Sequence, residues 1–225
     1  MAKLCATTVI FILCVVASII VWTSPNSEAI LNNYGYSTDN LLAGKYYVLL
    51  TSIFLHSDIG HLASNMFVLL IFGLVLEKEI GCKEYLMVFF IGAFFGDLLS
   101  SLVYPPGIPS VGASGGIFAI ITATMLIKPI PMEGFVPLPL GIIAIGYIIY
   151  AIIGLVTNYP PHVSQIAHLG GAIIGMIYGC QKQGLKSTLK ILVAVTILLI
   201  LFPVIWNFWA LIFSYMLSLF TGAGG

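Results

Sequence analysis

The sequence predicts an all-α membrane protein, a polytopic helical bundle, from its composition, the lengths of its apolar runs and the placement of its lysines. Of the 225 residues, 60% are hydrophobic and 7% charged, with a mean hydropathy of +1.12. A chain so poor in charge hides its surface in lipid rather than in water. Uncharged or nearly uncharged runs recur at about 4–22, 60–76, 85–104, 111–127, 138–157, 164–181 and 191–216. Most approach the roughly 20 residues that cross a bilayer at about 1.5 Å rise per residue. Seven spanning helices are expected.

Taken in order, the first run follows Lys3 like a secretion signal, but its length and the want of a convincing A-x-A site make it a retained helix. The second and third enclose a short polar stretch with Lys78, Cys82 and Lys83. The fourth opens on "SVGASGGIFA", where small residues surround Ser114. The fifth and sixth flank a loop with Pro160, Pro161 and His162; that histidine reads as solvated and is given no role. The seventh is longer than one crossing needs, so a tilted helix and a helix with an interfacial tail both fit.

The eight lysines lie at 3, 45, 78, 83, 128, 182, 186 and 190, with no arginine. An internal N-terminus leaves only Lys45 outside, in keeping with the positive-inside bias. The zero net charge names no partner, and without a basic stripe nothing points to nucleic acid. Cys5, Cys14 and Cys180 sit in or at the ends of spans and Cys82 between them, which implies neither a disulfide framework nor a metal site. No cofactor is implied.

In this orientation spans two, four and six run inward, so their first residues lie in the outer leaflet. Those residues are the polar ones: His56, His61 and Asn65 at the start of span two, Ser114 at span four and His168 at span six. Polar side chains near hydrocarbon are costly and usually face a bundle interior or a wet cavity, so three segments converging at one depth suggest an outward-opening site. Taken singly, each has a plainer reading. A serine among glycines is most often a helix-packing position, and an interfacial histidine often only bonds a neighbour. Together, a potential nucleophile and a potential base on different helices, with donors nearby, form a constellation.

Helix geometry sharpens it. At about 100° per residue, Gly171, Gly175 and Gly179 lie within about 60° of His168, a face that invites a close neighbour. If span four is that neighbour, Ser114 meets His168. Phe118, one turn beyond Ser114, then packs beside the imidazole or makes an ordinary lipid or core contact. His61 and Asn65, four apart, share a face and can both donate to a developing oxyanion. His56, five from His61, is read as loop architecture or a helper.

H-x4-H-x3-N (His56, His61, Asn65), G-x-S-G (Gly112, Ser114, Gly115) and A-H-x2-G-x3-G (Ala167, His168, Gly171, Gly175), in this order, resemble the rhomboid intramembrane serine proteases over about residues 1–181. The resemblance implies a six-helix catalytic core at 1–181, with 182–225 a linker and an additional C-terminal transmembrane helix. It also implies a Ser114/His168 dyad, a partly embedded first outer loop, and gating by the fifth helix or the loop over the site. Substrates would be membrane-anchored proteins. The want of a large soluble domain, apart from the resemblance, suits a compact enzyme of a prokaryotic cell membrane. One departure is visible: where many rhomboids carry Trp-Arg in the first outer loop, Tyr47 and Val48 stand here.

A serine mechanism follows. His168 takes the Ser114 proton, the serine attacks a carbonyl, and donors from Asn65, His61, Gly112 and the backbone around Ser114 hold the oxyanion. Asp97, the one acidic residue within a predicted span, more often satisfies neighbouring helices, through Ser100 or Ser101, than orients a base. H-E-x-x-H, as a zinc protease would carry, is absent. Lys128, about 21 Å along the helix from Ser114, is too far for a Ser/Lys pair. A transporter or an inactive binding protein is the alternative class, since polar residues at broken helices also bind cargo.

Overall fold

The structure is a computed structural model and describes residues 5–130, 140–159 and 163–221. Lys3 and His162 lie outside the described residues. The described chain is built of helices: α1 (Ala6–Thr23), α2 (Ser27–Tyr34), α3 (Thr38–Leu42), α4 (Val48–Phe54), α5 (Ile59–Ser100), α6 (Ser114–Ile127), α7 (Leu140–Thr157), α8 (Gln165–Gln183) and α9 (Leu185–Thr221). Among the described residues, α1, α5 and α7 are long and apolar enough to cross a membrane, and α6 is a shorter apolar helix.

α5 joins the two runs expected at 60–76 and 85–104, and a non-helical residue, Gly81, breaks it at φ 79° and ψ 161°. A β-carbon on Gly73 would lie 2.8 Å from the Tyr85 hydroxyl. Residues twelve apart on a straight helix are separated by about 18 Å, so the chain doubles back at Gly81, where glycine tolerates the positive φ. We call 59–80 and 82–100 the first and second limbs of α5.

The C-terminal end of the first limb holds a feature the sequence reading missed. Glu77 is buried, and its carboxylate accepts from the Ala6 N–H at 2.6 Å, the Thr7 N–H at 2.8 Å and the Thr7 hydroxyl at 2.7 Å. The Cys5 thiol adds a fourth bond at 2.6 Å. A helix N-terminus has unsatisfied N–H groups and the positive end of its dipole, so a carboxylate from 70 residues away caps α1. Asp97 is therefore not the one acid packed among these helices. Lys128 pairs with Glu79 at 3.0 Å, and Lys182 with Glu84 at 2.7 Å, tying the ends of α6 and α8 to the Gly81 turn.

The centre of the bundle is α6, in which Gly115 through Leu126 are all buried. A helix apolar all round is buried all round. α5 and α8 reach it through small residues: a β-carbon on Gly171 would lie 1.9 Å from the Gly115 carbonyl oxygen, and one on Gly175 2.2 Å from that of Ala119. Gly92 of α5 meets Ala119 in the same way, at 2.4 Å. Lipid offers no hydrophobic drive between helices, so van der Waals contact at this range holds the three together.

α9 is one unbroken helix of 37 residues, about 56 Å at 1.5 Å per residue. It starts directly after Gly184, whose φ of 78° turns the chain out of α8. The helix thus begins earlier than the run at 191–216.

Candidate active site

The segment before α6 is pinned on both sides. Tyr36 and Ser110 exchange backbone bonds of 2.9 and 2.7 Å, and the Gly112 N–H donates to the Ser52 carbonyl of α4 at 2.9 Å. Gly112 has φ +128°, a region that side chains rarely adopt, so the chain can turn here only on glycine. The Tyr47 and Val48 departure is absorbed locally: Val48 is fully buried, Tyr47 packs on Tyr34 at 5.7 Å, and the Thr51 hydroxyl donates to the Tyr34 carbonyl at 2.6 Å. α2 and α4 are thus held together without an arginine.

Ser114 is the first residue of α6, and no side chain caps that helix; Ala113 stands at the N-cap. The first N–H groups of a helix have no partner within it, so α6 presents free donors and its positive dipole end beside the hydroxyl. The cavity there has a volume of about 370 Å³ and is lined by Ser114, His168, His61, Asp97, Gly112 and Ser164, among others. Ser114 and His168 come to one level because the Gly171 and Gly115 backbones touch: His168 lies one turn before Gly171, and Ser114 immediately precedes Gly115.

His168 is buried. Its ring stacks on Phe118 at 4.3 Å and 9°, and Phe118 in turn meets Tyr147 of α7 edge-on at 6.0 Å and 89°. Its Nδ1 lies 3.2 Å from Oε1 of Gln165. Gln165 was missed at the sequence level, although its spacing of three from His168 was a usable signal.

On the first limb of α5, Asp58 caps the helix by accepting the His61 N–H at 2.9 Å. That bond, with the Ser57 hydroxyl, holds the exposed Asp58 carboxyl below the usual carboxylate range. Ser57 Oγ also lies 3.2 Å from His61 Nδ1, which turns the other ring nitrogen inward. A β-carbon on Gly112 would lie 2.8 Å from His61 Nε2 and 3.5 Å from Asn65 Nδ2, so both nitrogens converge on the space this glycine leaves open. Asn65 Nδ2 is buried and has no partner among the described residues. The Gly112 amide is a correction to the expected donor set: Ser52 engages it, and what Gly112 supplies is space.

His56 is fully buried, with Nδ1 3.1 Å from the Ser18 hydroxyl and its carbonyl accepting the Trp22 indole at 2.9 Å. Its ring meets His61 edge-on at 5.0 Å, so α1 steadies His61 through His56. Asp97 accepts the Ser52 hydroxyl at 3.3 Å, and the Ser100 hydroxyl bonds the Asp97 backbone carbonyl, not its carboxyl. Gly171 and Gly175 are packing residues between α6 and α8.

The model of the Rhomboid domain family matches residues 43–184. The chain is 32% identical over 181 residues to RHOMBOID-like protein 12, mitochondrial, of Arabidopsis thaliana, covering 70% of this chain and 53% of that protein. It is 30% identical over 194 residues to Rhomboid-related protein 3 of Homo sapiens, covering 78% and 47%. It is also 30% identical over 166 residues to Rhomboid protease GluP of Bacillus subtilis, covering 73% and 31%. The chain thus spans about a third to a half of the length of these relatives. Coming from a plant, a human and a bacterium, they lend no support to the expected prokaryotic membrane over any other. The apolar helices and the domain match make this an integral membrane protein. That match takes in α5, α6 and α8 with His61, Asn65, Ser114 and His168, and the chain belongs to the rhomboid family.

Proposed function

We propose that the chain is an intramembrane serine endopeptidase that cuts membrane-anchored proteins near their outer membrane boundary. The observation that carries this reading is one cavity lined by Ser114, at an uncapped helix N-terminus, and His168, on the helix packed closest to it. His168 accepts the Ser114 proton, and the serine oxygen attacks the substrate carbonyl. Asn65 Nδ2, a buried donor without a partner among the described residues, and the free amides of the first turn of α6 receive the oxyanion, and His61 Nε2 joins them in the tautomer in which the Ser57 hydroxyl donates to Nδ1. His168 returns its proton to the leaving amine, and water releases the acyl group.

Depth supports the same reading. α6 has 14 residues, about 21 Å, against a hydrocarbon thickness of about 30 Å. With Lys128 at the inner interface, Ser114 lies below the outer boundary at the floor of a polar recess, where an unwound substrate keeps its backbone hydrated. The orientation with the N-terminus inside rests on the lysine distribution. Residues 1–181 form a six-helix catalytic core and 182–225 a seventh span, with the expected linker reduced to the turn at Gly184; the domain match ending at 184 and that turn support the division.

The test is labelling of the purified protein with a fluorophosphonate probe, together with cleavage of a membrane-anchored reporter. Wild type labels at Ser114 and cleaves; Ser114→Ala and His168→Ala each abolish cleavage, and the double variant loses little more. A folded, unlabelled and inactive wild type would return the chain to the binding-protein reading.

A further inference from the structure

We propose that Gln165 is a positioning residue that fixes the tautomer of His168, and that α7 holds it in place through Gly154. The inference rests on the reading of His168 as the base. A histidine base must present an unprotonated ring nitrogen to the serine, so its other nitrogen carries the proton and needs an acceptor. Gln165 Oε1, 3.2 Å from Nδ1, is that acceptor, and the proton on Nδ1 leaves Nε2 free for Ser114. Of the two amide atoms, only the oxygen in this place yields a competent base, since an NH2 group facing Nδ1 would force the proton onto Nε2.

The side chain is set by its surroundings. Gln165 is 1% exposed, and a β-carbon on Gly154 would lie 2.7 Å from both its Cδ and its Nε2. The amide therefore rests on the bare backbone of α7. Its Nε2 has no partner among the described residues, so packing against Gly154, and not a second hydrogen bond, sets the amide's position. The same helix backs the opposite support of the imidazole, since Tyr147 buttresses Phe118. Stacking fixes the plane of the ring, and Gln165 fixes which nitrogen carries the proton.

Among the described residues, the other titratable groups around His168 are His61 and Asp97 from α5, with Tyr36 and Tyr104, all on the cavity wall, and Tyr147 of α7 behind Phe118; α6 brings none. Among the described residues none of them hydrogen-bonds Nδ1, and all stay constant in the variants below.

The experiment uses the full chain, labelled with 15N-histidine in bicelles, whose ring-nitrogen shifts report each tautomer directly, alongside reporter kinetics. Wild-type His168 carries its proton on Nδ1. Gln165→Leu moves the proton toward Nε2 and lowers kcat about 10- to 100-fold with KM within about twofold, less than the roughly 10⁴-fold seen when a charged partner is lost. Gln165→Glu keeps the acceptor and restores the tautomer; its carboxylate favours imidazolium and raises the acid limb of the kcat/KM profile by about one pH unit. Should Gln165→Leu fail to fold, Gly154→Ala, whose β-carbon would meet the Gln165 amide at 2.7 Å and the Tyr159 carbonyl at 2.8 Å, displaces the amide, the more movable of the two, and gives the same proton shift. A wild-type proton on Nε2, or a tautomer and acid limb indifferent to both Gln165→Leu and Gln165→Glu, overturns the proposal. A Gln165-dependent tautomer in a protein that neither labels nor cleaves upholds the positioning and sinks the protease reading instead.

Discussion

Gly171→Ala adds one methyl group at the tightest glycine contact among the described residues. Its β-carbon would lie 1.9 Å from the Gly115 carbonyl oxygen and 2.8 Å from the carbonyl carbon, and both are backbone atoms that no rotamer change can move. A carbon–oxygen contact settles at about 3.3 Å, so α6 and α8 must part by about 1.4 Å at that point. Ser114 and His168 stand within one turn of the contact on opposite helices, and the gap between the proposed nucleophile and base opens with it. A misplacement of about 1 Å can cost about 100-fold in rate, and overpacking costs about 1–3 kcal/mol in stability. We expect kcat for a membrane-anchored reporter to fall at least about 100-fold, with a parallel loss in the rate of fluorophosphonate labelling. Gly146→Ala on α7 is the control, because a β-carbon there meets nothing within 4 Å. It should leave activity unchanged and add about 0.5–1 kcal/mol through helix propensity. The assay is reporter cleavage in proteoliposomes beside thermal unfolding of the same preparations. If Gly171→Ala cleaves and unfolds like wild type, the α6–α8 contact does not set the spacing of the dyad.

Asn65→Ala should lower kcat about 10- to 1,000-fold with KM little changed, because its donor matters only once charge develops on the carbonyl oxygen; a variant that binds poorly but turns over normally would make Asn65 a substrate-positioning residue. Asp58→Ala should cost about 0.5–2 kcal/mol by removing the cap on α5. Because the His61 N–H holds the Asp58 carboxyl below its usual value of about 3.9, that contribution is complete above this pH and lost as pH falls through the lower folded-state value. Melting curves of wild type and variant should therefore draw together only below about pH 4. Moving a Gly or Pro pair along a substrate span should favour cleavage near its outer boundary, where unwinding is cheapest, with products located by mass spectrometry. Equal cleavage of a stiff poly-leucine span would place the site deeper than the outer boundary.

What the sequence determined by itself was whatever depends on composition or on neighbours within one helical turn. Charge scarcity and run length made the chain a helical membrane protein, and 100° per residue put His168 on the glycine face of its helix and Asn65 one turn from His61. The stack of Phe118 on His168 was legible only as one of two outcomes, because spacing puts Phe118 on a face without saying which helix covers it. Tertiary structure decided that, by seating Gly171 on Gly115 and so bringing α6 and α8 together. It also decided that the Gly112 amide is taken by Ser52, sixty residues earlier, and that Glu77 caps a helix 70 residues away. Gln165 shows the division within one residue: its place three before His168 is local, but the support that aims its amide is Gly154 on another helix. Hydrogen-bond satisfaction and close packing belong to pairs of atoms brought together by the whole fold, and no periodicity along one helix encodes which partner arrives.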